Sequence, residues 1–149
     1  RRRRAMTASY VLFVCVHNAG RSQMARALFD HAAAQRGLAV RARSAGTEPA
    51  ERVHSVVEEA MRELGEDLSG AAPQLMTNAM VEQAVRVITM GCAVDADACP
   101  AIALRDVEDW GLPDPKGQPL AEVRRIRDDI AARVNALLDD LAPQRKSRA

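Results

Sequence analysis

The run Tyr10-Val-Leu-Phe-Val-Cys-Val16 is apolar throughout and rich in β-branched and aromatic residues, which predicts a buried strand. It passes directly into Asn18-Ala-Gly-Arg-Ser22, a tight turn. From Ser22 to Gln35 good helix formers take over, with Met24, Leu28 and Ala32 spaced i, i+4, i+8 and Gly37 placed to stop the helix. Leu38 to Ser44 alternates as a second strand does, and Ser44-Ala-Gly46 turns out of it. Val57, Ala60, Met61 and Leu64 fall at i, i+3, i+4 and i+7 and predict an amphipathic helix closing at Gly65, with a short helical stretch from Asn78 to Ala84 after it. Val85 to Met90 reads as the third strand, and a fourth is expected within Ala101 to Val107, ahead of the turn-rich loop Trp110-Gly-Leu-Pro-Asp-Pro-Lys-Gly117. The last helix carries one apolar stripe, Val123, Ile126, Ile130, Val134, Leu137 and Leu141, with Arg124/Asp128 and Arg125/Asp129 spaced for ion pairs on its wet face.

Strands alternating with helices predict an α/β fold: a single domain over residues 6–143 with a four-stranded parallel sheet and helices on both faces, between flexible basic ends at 1–5 and 144–149. Met6 is the expected natural start. In such sheets ligands bind beyond the carboxyl ends of the strands. Cys15, Cys92 and Cys99 all fall at or just after such ends, and Asp114 reaches the same edge if the strand before it is also parallel.

With 149 residues the chain is long enough to bury a core without disulfides or a structural metal. Lys plus Arg (21) nearly balances Asp plus Glu (20), and the basic residues are dispersed, so neither a nucleic-acid binder nor a membrane protein is expected. No long apolar run marks a signal peptide or membrane span, which predicts a cytoplasmic protein, and a monomer is expected. Three cysteines, an odd number, argue against a disulfide framework and for reactive or simply buried thiols.

Cys15-Val-His-Asn-Ala-Gly-Arg21-Ser22 places Cys, five residues and Arg between a buried strand and a helix start. Successive backbone N–H groups of Val16, His17, Asn18, Ala19 and Gly20 in a tight loop converge on one hollow, and the helix end adds positive potential, so a tetrahedral oxyanion is cradled there. Gly20 is expected to permit the turn, Asn18 and Ser22 to supply side-chain bonds, and Arg21 to grip two anion oxygens with its guanidinium. The same field favours the thiolate of Cys15, the nucleophilic form. Taken alone, Cys-x5-Arg is a weak pattern, and a buried small residue at a strand end is the bland alternative for Cys15.

The segment Val11 to Ala25 resembles the phosphate-binding loop of low-molecular-weight tyrosine phosphatases and, more closely, of the arsenate reductases that share their fold. Ser44-Ala-Gly46, Val87-Ile-Thr-Met90, Cys99-Pro100, Trp110 with Asp114-Pro115, and Arg125 to Ile130 resemble reductase segments in the same order, so the similarity spans about Val11 to Leu141. The resemblance implies that Cys15 attacks the arsenic of arsenate, for which phosphate or sulfate is an analogue, with Asp114 as general acid. It further implies that Cys92 then attacks the Cys15 sulfur, releasing arsenite, and that Cys99 closes a Cys92–Cys99 disulfide. No tightly bound cofactor is implied, only an external thiol reductant: thioredoxin, or mycothiol with a glutaredoxin.

A phosphatase needs the same loop and the same Asp114, so those residues do not separate the two activities. Lys116-Gly117 stands where similar tyrosine phosphatases present aromatic residues, and the few aromatics, Tyr10, Phe13, Phe29 and Trp110, lie mostly in expected core. Cys92 and Cys99 favour reduction. In a regular helix residues seven apart are separated by about 10.5 Å along the axis, so a disulfide between them requires that segment to bend. Two inert thiols, or an arsenite-sensing module without catalysis, are the other readings of the cysteines. No metal site is expected, since Cys-x6-Cys has no partner pair at zinc-like spacing. Relatives that bind potassium near the loop carry an acidic residue where this chain has Arg26, which speaks against a cation site. His17 is expected beside the loop without a catalytic role.

Overall fold

The computed structural model describes residues 9–91 and 106–142. Four parallel strands form one sheet in the order β2-β1-β3-β4: β1 (Tyr10–Cys15), β2 (Arg41–Gly46), β3 (Arg86–Thr89) and β4 (Val107–Asp109). The helices are α1 (Arg21–Gln35), α2 (Ser55–Arg62), α3 (Asn78–Gln83) and α4 (Leu120–Leu141). β1 is buried at every residue because both of its faces are covered. Val11, Phe13 and Cys15 point into a large cluster with Met24, Phe29, Val57, Met61, Ile126 and Ile130, whereas Tyr10, Leu12 and Val14 point into a smaller one with Met76, Val81 and Val87. The period-2 alternation of side chains thus divides one strand between two cores, with α1, α2 and α4 over one face and α3 over the other.

Phe13 anchors the larger core, its ring 6.0 Å from Phe29 and 5.5 Å from Trp110. Each such fully buried side chain contributes about 1.5–3 kcal/mol by leaving water. Some of the expected pattern is displaced. The second strand begins at Arg41 rather than Leu38. The core face of α1 is Met24, Ala25, Phe29 and Ala33, with Leu28 and Ala32 only partly buried beside it. α2 stops at Arg62, which leaves Leu64 46% exposed and outside the apolar stripe. β4 starts where the predicted fourth strand ended, at Val107; the rest of that range, 101–105, lies outside the described residues, as do the predicted Cys92 and Cys99.

The ion pairs expected along α4 are replaced by others: Arg125 pairs with Glu122 and Arg133 with Asp129 inside the helix, while Arg124 is drawn to a carboxylate outside it. Glu63, just past α2, accepts from Arg124 Nε and Nη2 and from Arg127 Nη1, and Arg127 also donates to Ala60 O at 2.8 Å. The buried Arg127 guanidinium thereby satisfies one open C-terminal carbonyl of α2, that of Ala60, and ties that helix to α4. The hydrogen bonds from Arg124 first, and from Arg127 second, lower the Glu63 carboxyl to a pKa of about 2.

β1 lies between β2 and β3, so chain crossovers leave it on both sides and its carboxyl end opens a crevice at the point where strand order reverses. Among the described residues no helix is long and apolar enough to cross a membrane.

Candidate active site

The loop from Val16 to Gly20 is held by its carbonyls. Val16 O accepts from Glu48 N at 2.8 Å, His17 O from Ala50 N at 3.0 Å, Ala19 O from His54 N at 3.0 Å and Gly20 O from Met24 N at 3.0 Å. Asn18 O accepts from the Gln23 side chain at 3.1 Å. All five carbonyls are therefore engaged on the outside of the turn, largely by the segment between β2 and α2. A peptide unit with its C=O outward has its N–H inward, so the loop amides converge on the hollow at the start of α1. α1 has neither a capping side chain nor an acidic residue in its first turn, which reserves its positive end for an anion. Gly46 permits the close approach that this ladder requires: a Cβ there would stand 2.4 Å from Val16 O and 2.9 Å from Cys15 O.

Cys15 ends β1 inside this ring, and its Sγ accepts from Asn18 N at 3.2 Å and lies 3.0 Å from Ser22 Oγ. The hydroxyl is oriented by its neighbours. Gln74 N and Gln23 Nε2 both donate to Asn18 Oδ1, at 2.9 and 3.2 Å, which fixes the amide so that Asn18 Nδ2 donates to Ser22 Oγ at 2.8 Å. With its lone pair so engaged, the Ser22 hydroxyl has its one proton to give to sulfur, an arrangement that favours the thiolate.

The left-handed conformation in the loop falls on Asn18, at φ 53°, and not on Gly20, whose φ is −136°. Gly20 is required for a different reason: a Cβ there would meet Pro115 Cγ at 2.9 Å and His54 Cδ2 at 3.5 Å. The missing side chain lets the Asp114-Pro115 loop close over the turn. Arg21, the first residue of α1, is buried; its Nη1 donates to Met90 O at 2.9 Å and Leu112 O at 2.6 Å, and its Nη2 stands 3.9 Å from Asp114 Oδ2. One guanidinium nitrogen is thus fixed to the ends of two other chain segments, and the plane this imposes directs the rest of the group at the cleft. Asp114 is half exposed and accepts from Lys116 N at 3.0 Å through Oδ1.

Cys15, Val16, His17, Ala19, Gly20, Arg21, His54 and Asp114 together line a cleft of about 190 Å³. It suits a small tetrahedral oxyanion. The expected loop residues and Asp114 are brought together; Asn18 and Ser22 support the loop from below, and His17 lies at the exposed rim with Nδ1 2.9 Å from Glu48 O. Gln23, Gln74 and His54 were not singled out by sequence. Gln23 directly follows the motif in the first turn of α1, and that closeness was the signal for it, but Gln74 and His54 reach the site from distant segments by tertiary folding alone. Among the described residues no three His, Cys, Asp or Glu side chains gather to hold a metal.

The sequence profile of the low molecular weight phosphotyrosine protein phosphatase family matches residues 10–147. The chain belongs to this family. A Halobacterium salinarum protein, provisionally named an arsenate reductase, is 43% identical over 136 residues, 88% of this chain and 92% of that protein. Among solved structures, an arsenate reductase in its phosphate-binding state superposes with a TM-score of 0.77 at 30% identity, covering 90% of this chain and 99% of the other. The thioredoxin-dependent arsenate reductase of Corynebacterium glutamicum superposes with a TM-score of 0.73 at 38% identity, covering 92% of this chain and 63% of that one. In this family member all four Phe, Tyr and Trp residues are at most 6% exposed, so none of them offers a ring for a phosphotyrosyl group at the cleft to stack on.

Proposed function

We propose that the protein reduces arsenate to arsenite, as an arsenic detoxification enzyme, using Cys15 as nucleophile. The observation that carries this is the cleft itself: a sulfur at the centre of a ring of inward amides, flanked by one guanidinium and one carboxyl, with no Phe, Tyr or Trp placed to stack on an aryl phosphate. The Cys15 thiolate attacks arsenic, an S–As bond forms, and one arsenate oxygen leaves as water with the proton supplied by Asp114. Inward amides and Arg21 hold the remaining oxygens, and their negative charge is matched by the end of α1.

Reduction then requires two electrons, which Cys15 and a second thiol supply together by joining in a disulfide. Cys92 thiolate attacks Cys15 Sγ, the S–As bond breaks with its electron pair going to arsenic, and arsenite leaves. Cys99 next attacks Cys92, freeing the Cys15 thiolate and leaving a Cys92–Cys99 disulfide, which thioredoxin reduces through its own dithiol. These two cysteines lie outside the described residues, so their roles rest on the sequence. Thioredoxin as the reductant is supported by the 38% identity to the Corynebacterium glutamicum enzyme.

The test is steady-state arsenite production from arsenate by wild type and Cys99→Ser, with thioredoxin, thioredoxin reductase and NADPH, or with mycothiol and its glutaredoxin. Thioredoxin-dependent turnover abolished by Cys99→Ser is the expected result. Turnover with mycothiol alone that survives Cys99→Ser removes Cys99 from the mechanism, and hydrolysis of an aryl phosphate without arsenite replaces reduction by phosphatase activity.

A further inference from the structure

Met90 and Gly91 share one trans peptide unit, and both of its polar ends are engaged. At one end Met90 O accepts from Arg21 Nη1 at 2.9 Å. At the other, Gly91 N donates to Asp109 Oδ1 at 2.9 Å, and the same oxygen accepts from Thr89 Oγ1 at 2.6 Å. A peptide unit is planar with its C=O and N–H opposed, so fixing the N–H also fixes the direction of the carbonyl. Gly91 stands at φ 89°, a region that glycine enters freely, and the residue itself therefore offers little resistance to a turn of that plane. Asp109 supplies the restraint that the glycine lacks. It ends β4 opposite Thr89 at the end of β3, and its side chain reaches across to the first residues beyond the neighbouring strand. The second acceptor of Arg21 Nη1, Leu112 O, lies at the same junction: a Cβ on Gly91 would stand 2.6 Å from Leu112 N and 2.7 Å from Leu112 O. Both carbonyls that set the plane of the guanidinium thus meet at Gly91. Asp109 is not among the residues lining the cleft, so apart from its charge it reaches a bound anion only through this junction.

We propose that Asp109 is a positioning residue for Arg21: by holding the Gly91 N–H it orients the Met90 carbonyl, and through that carbonyl the guanidinium that grips the oxyanion. The carboxylate acts here as an acceptor and not as a charge. Its charge alone has the opposite sign, since a negative group near the cleft disfavours an anion. Removing the acceptor is therefore expected to weaken anion binding, whereas removing only the charge is not. This role rests on Arg21 as the oxyanion grip and is the same whether the protein reduces arsenate or hydrolyses a phosphate ester.

Binding of inorganic phosphate is compared for wild type, Asp109→Ala and Asp109→Asn, each with Arg21 and with Arg21→Lys, by amide chemical shifts, which read weak binding as well as tight. Asp109→Ala is expected to weaken binding by about threefold to tenfold, the size of one lost hydrogen bond. Asp109→Asn keeps an acceptor at Oδ1 while removing the charge, and is expected to bind phosphate at least as tightly as wild type. In the Arg21→Lys background, which has no guanidinium to aim, Asp109→Ala is expected to cost less than about twofold. Undiminished affinity in Asp109→Ala overturns the proposal, as does an Asp109→Asn variant as weak as Asp109→Ala, or an equal loss in both backgrounds. If urea unfolding shows that Asp109→Ala does not fold, Thr89→Val replaces it, because it takes one of the two donors from the same oxygen. A loss confined to the Arg21 background is again expected, and no loss again overturns the proposal. Phosphate binding needs neither reductant nor turnover, so failure of arsenate reduction leaves these comparisons intact.

Discussion

Asn18→Ala removes the centre of the network under the catalytic loop, and its cost can be worked from the contacts. The side chain makes three hydrogen bonds, to Ser22 Oγ, Gln23 Nε2 and Gln74 N, in a fully buried position. Ser22 Oγ keeps its contact with Cys15 and Gln23 Nε2 keeps Asn18 O, so the Gln74 N–H is the group left without its acceptor. That loss amounts to about 1–3 kcal/mol, and the two other bonds add about 0.5–1.5 kcal/mol each. Alanine at φ 53° adds about 1 kcal/mol of steric strain that asparagine partly tolerates. The expected destabilisation is about 3–7 kcal/mol. Asn18→Gly makes the same hydrogen-bond loss without the strain and is expected to be about 1 kcal/mol more stable than Asn18→Ala. Urea unfolding under reducing conditions measures both, with Trp110, the single tryptophan, buried against Phe13 as the fluorescent reporter. A loss below about 1 kcal/mol, or a glycine variant no better than alanine, refutes the network as described.

Gly46→Ala sets a Cβ against two backbone oxygens that cannot move independently of the loop, so a loss of about 1–3 kcal/mol in stability and weaker phosphate binding are expected; an unchanged urea midpoint and affinity contradict it. Arg21→Lys has one cationic head where arginine serves both the Met90 and Leu112 carbonyls and the cleft, and calorimetry is expected to show phosphate affinity lower by roughly tenfold or more, against undiminished affinity if the fork is unimportant. The Glu63 carboxyl is lowered from 4.5 to about 2 by Arg124 and Arg127, so its contribution to stability is present above about pH 4.5 and is lost as pH falls towards 2. Unfolding measured across that window is expected to be less pH-dependent in Glu63→Gln than in wild type, and identical slopes would remove Glu63 from the acid response.

The catalytic loop was readable in the sequence because its parts are local: a buried strand, five residues, an arginine and a helix start within one stretch. Asp114 was readable only through its resemblance to the family, since Asp-Pro alone signals a turn. What escaped was set by tertiary folding. His54 and Gln74 reach the loop from segments whose sequence has no chemical signature, and the left-handed residue proved to be Asn18, which a search for glycine overlooks. In the same way the spacing along α4 suggested Arg124 would pair within the helix, but Glu63, just past the end of α2, offered Arg124 and Arg127 a shared carboxylate, and Arg127 is buried in consequence. The strand order was likewise silent in the sequence, and it is this order that places the end of β1 at a crevice.

Single-turnover reaction of the fully reduced protein with arsenate, without any external thiol, tests the central claim most directly, with arsenite quantified and disulfides mapped by mass spectrometry. The account predicts one arsenite for each chain, a Cys92–Cys99 disulfide in the product, and no arsenite from Cys15→Ser. Arsenite released by Cys15→Ser as fast as by wild type would contradict it.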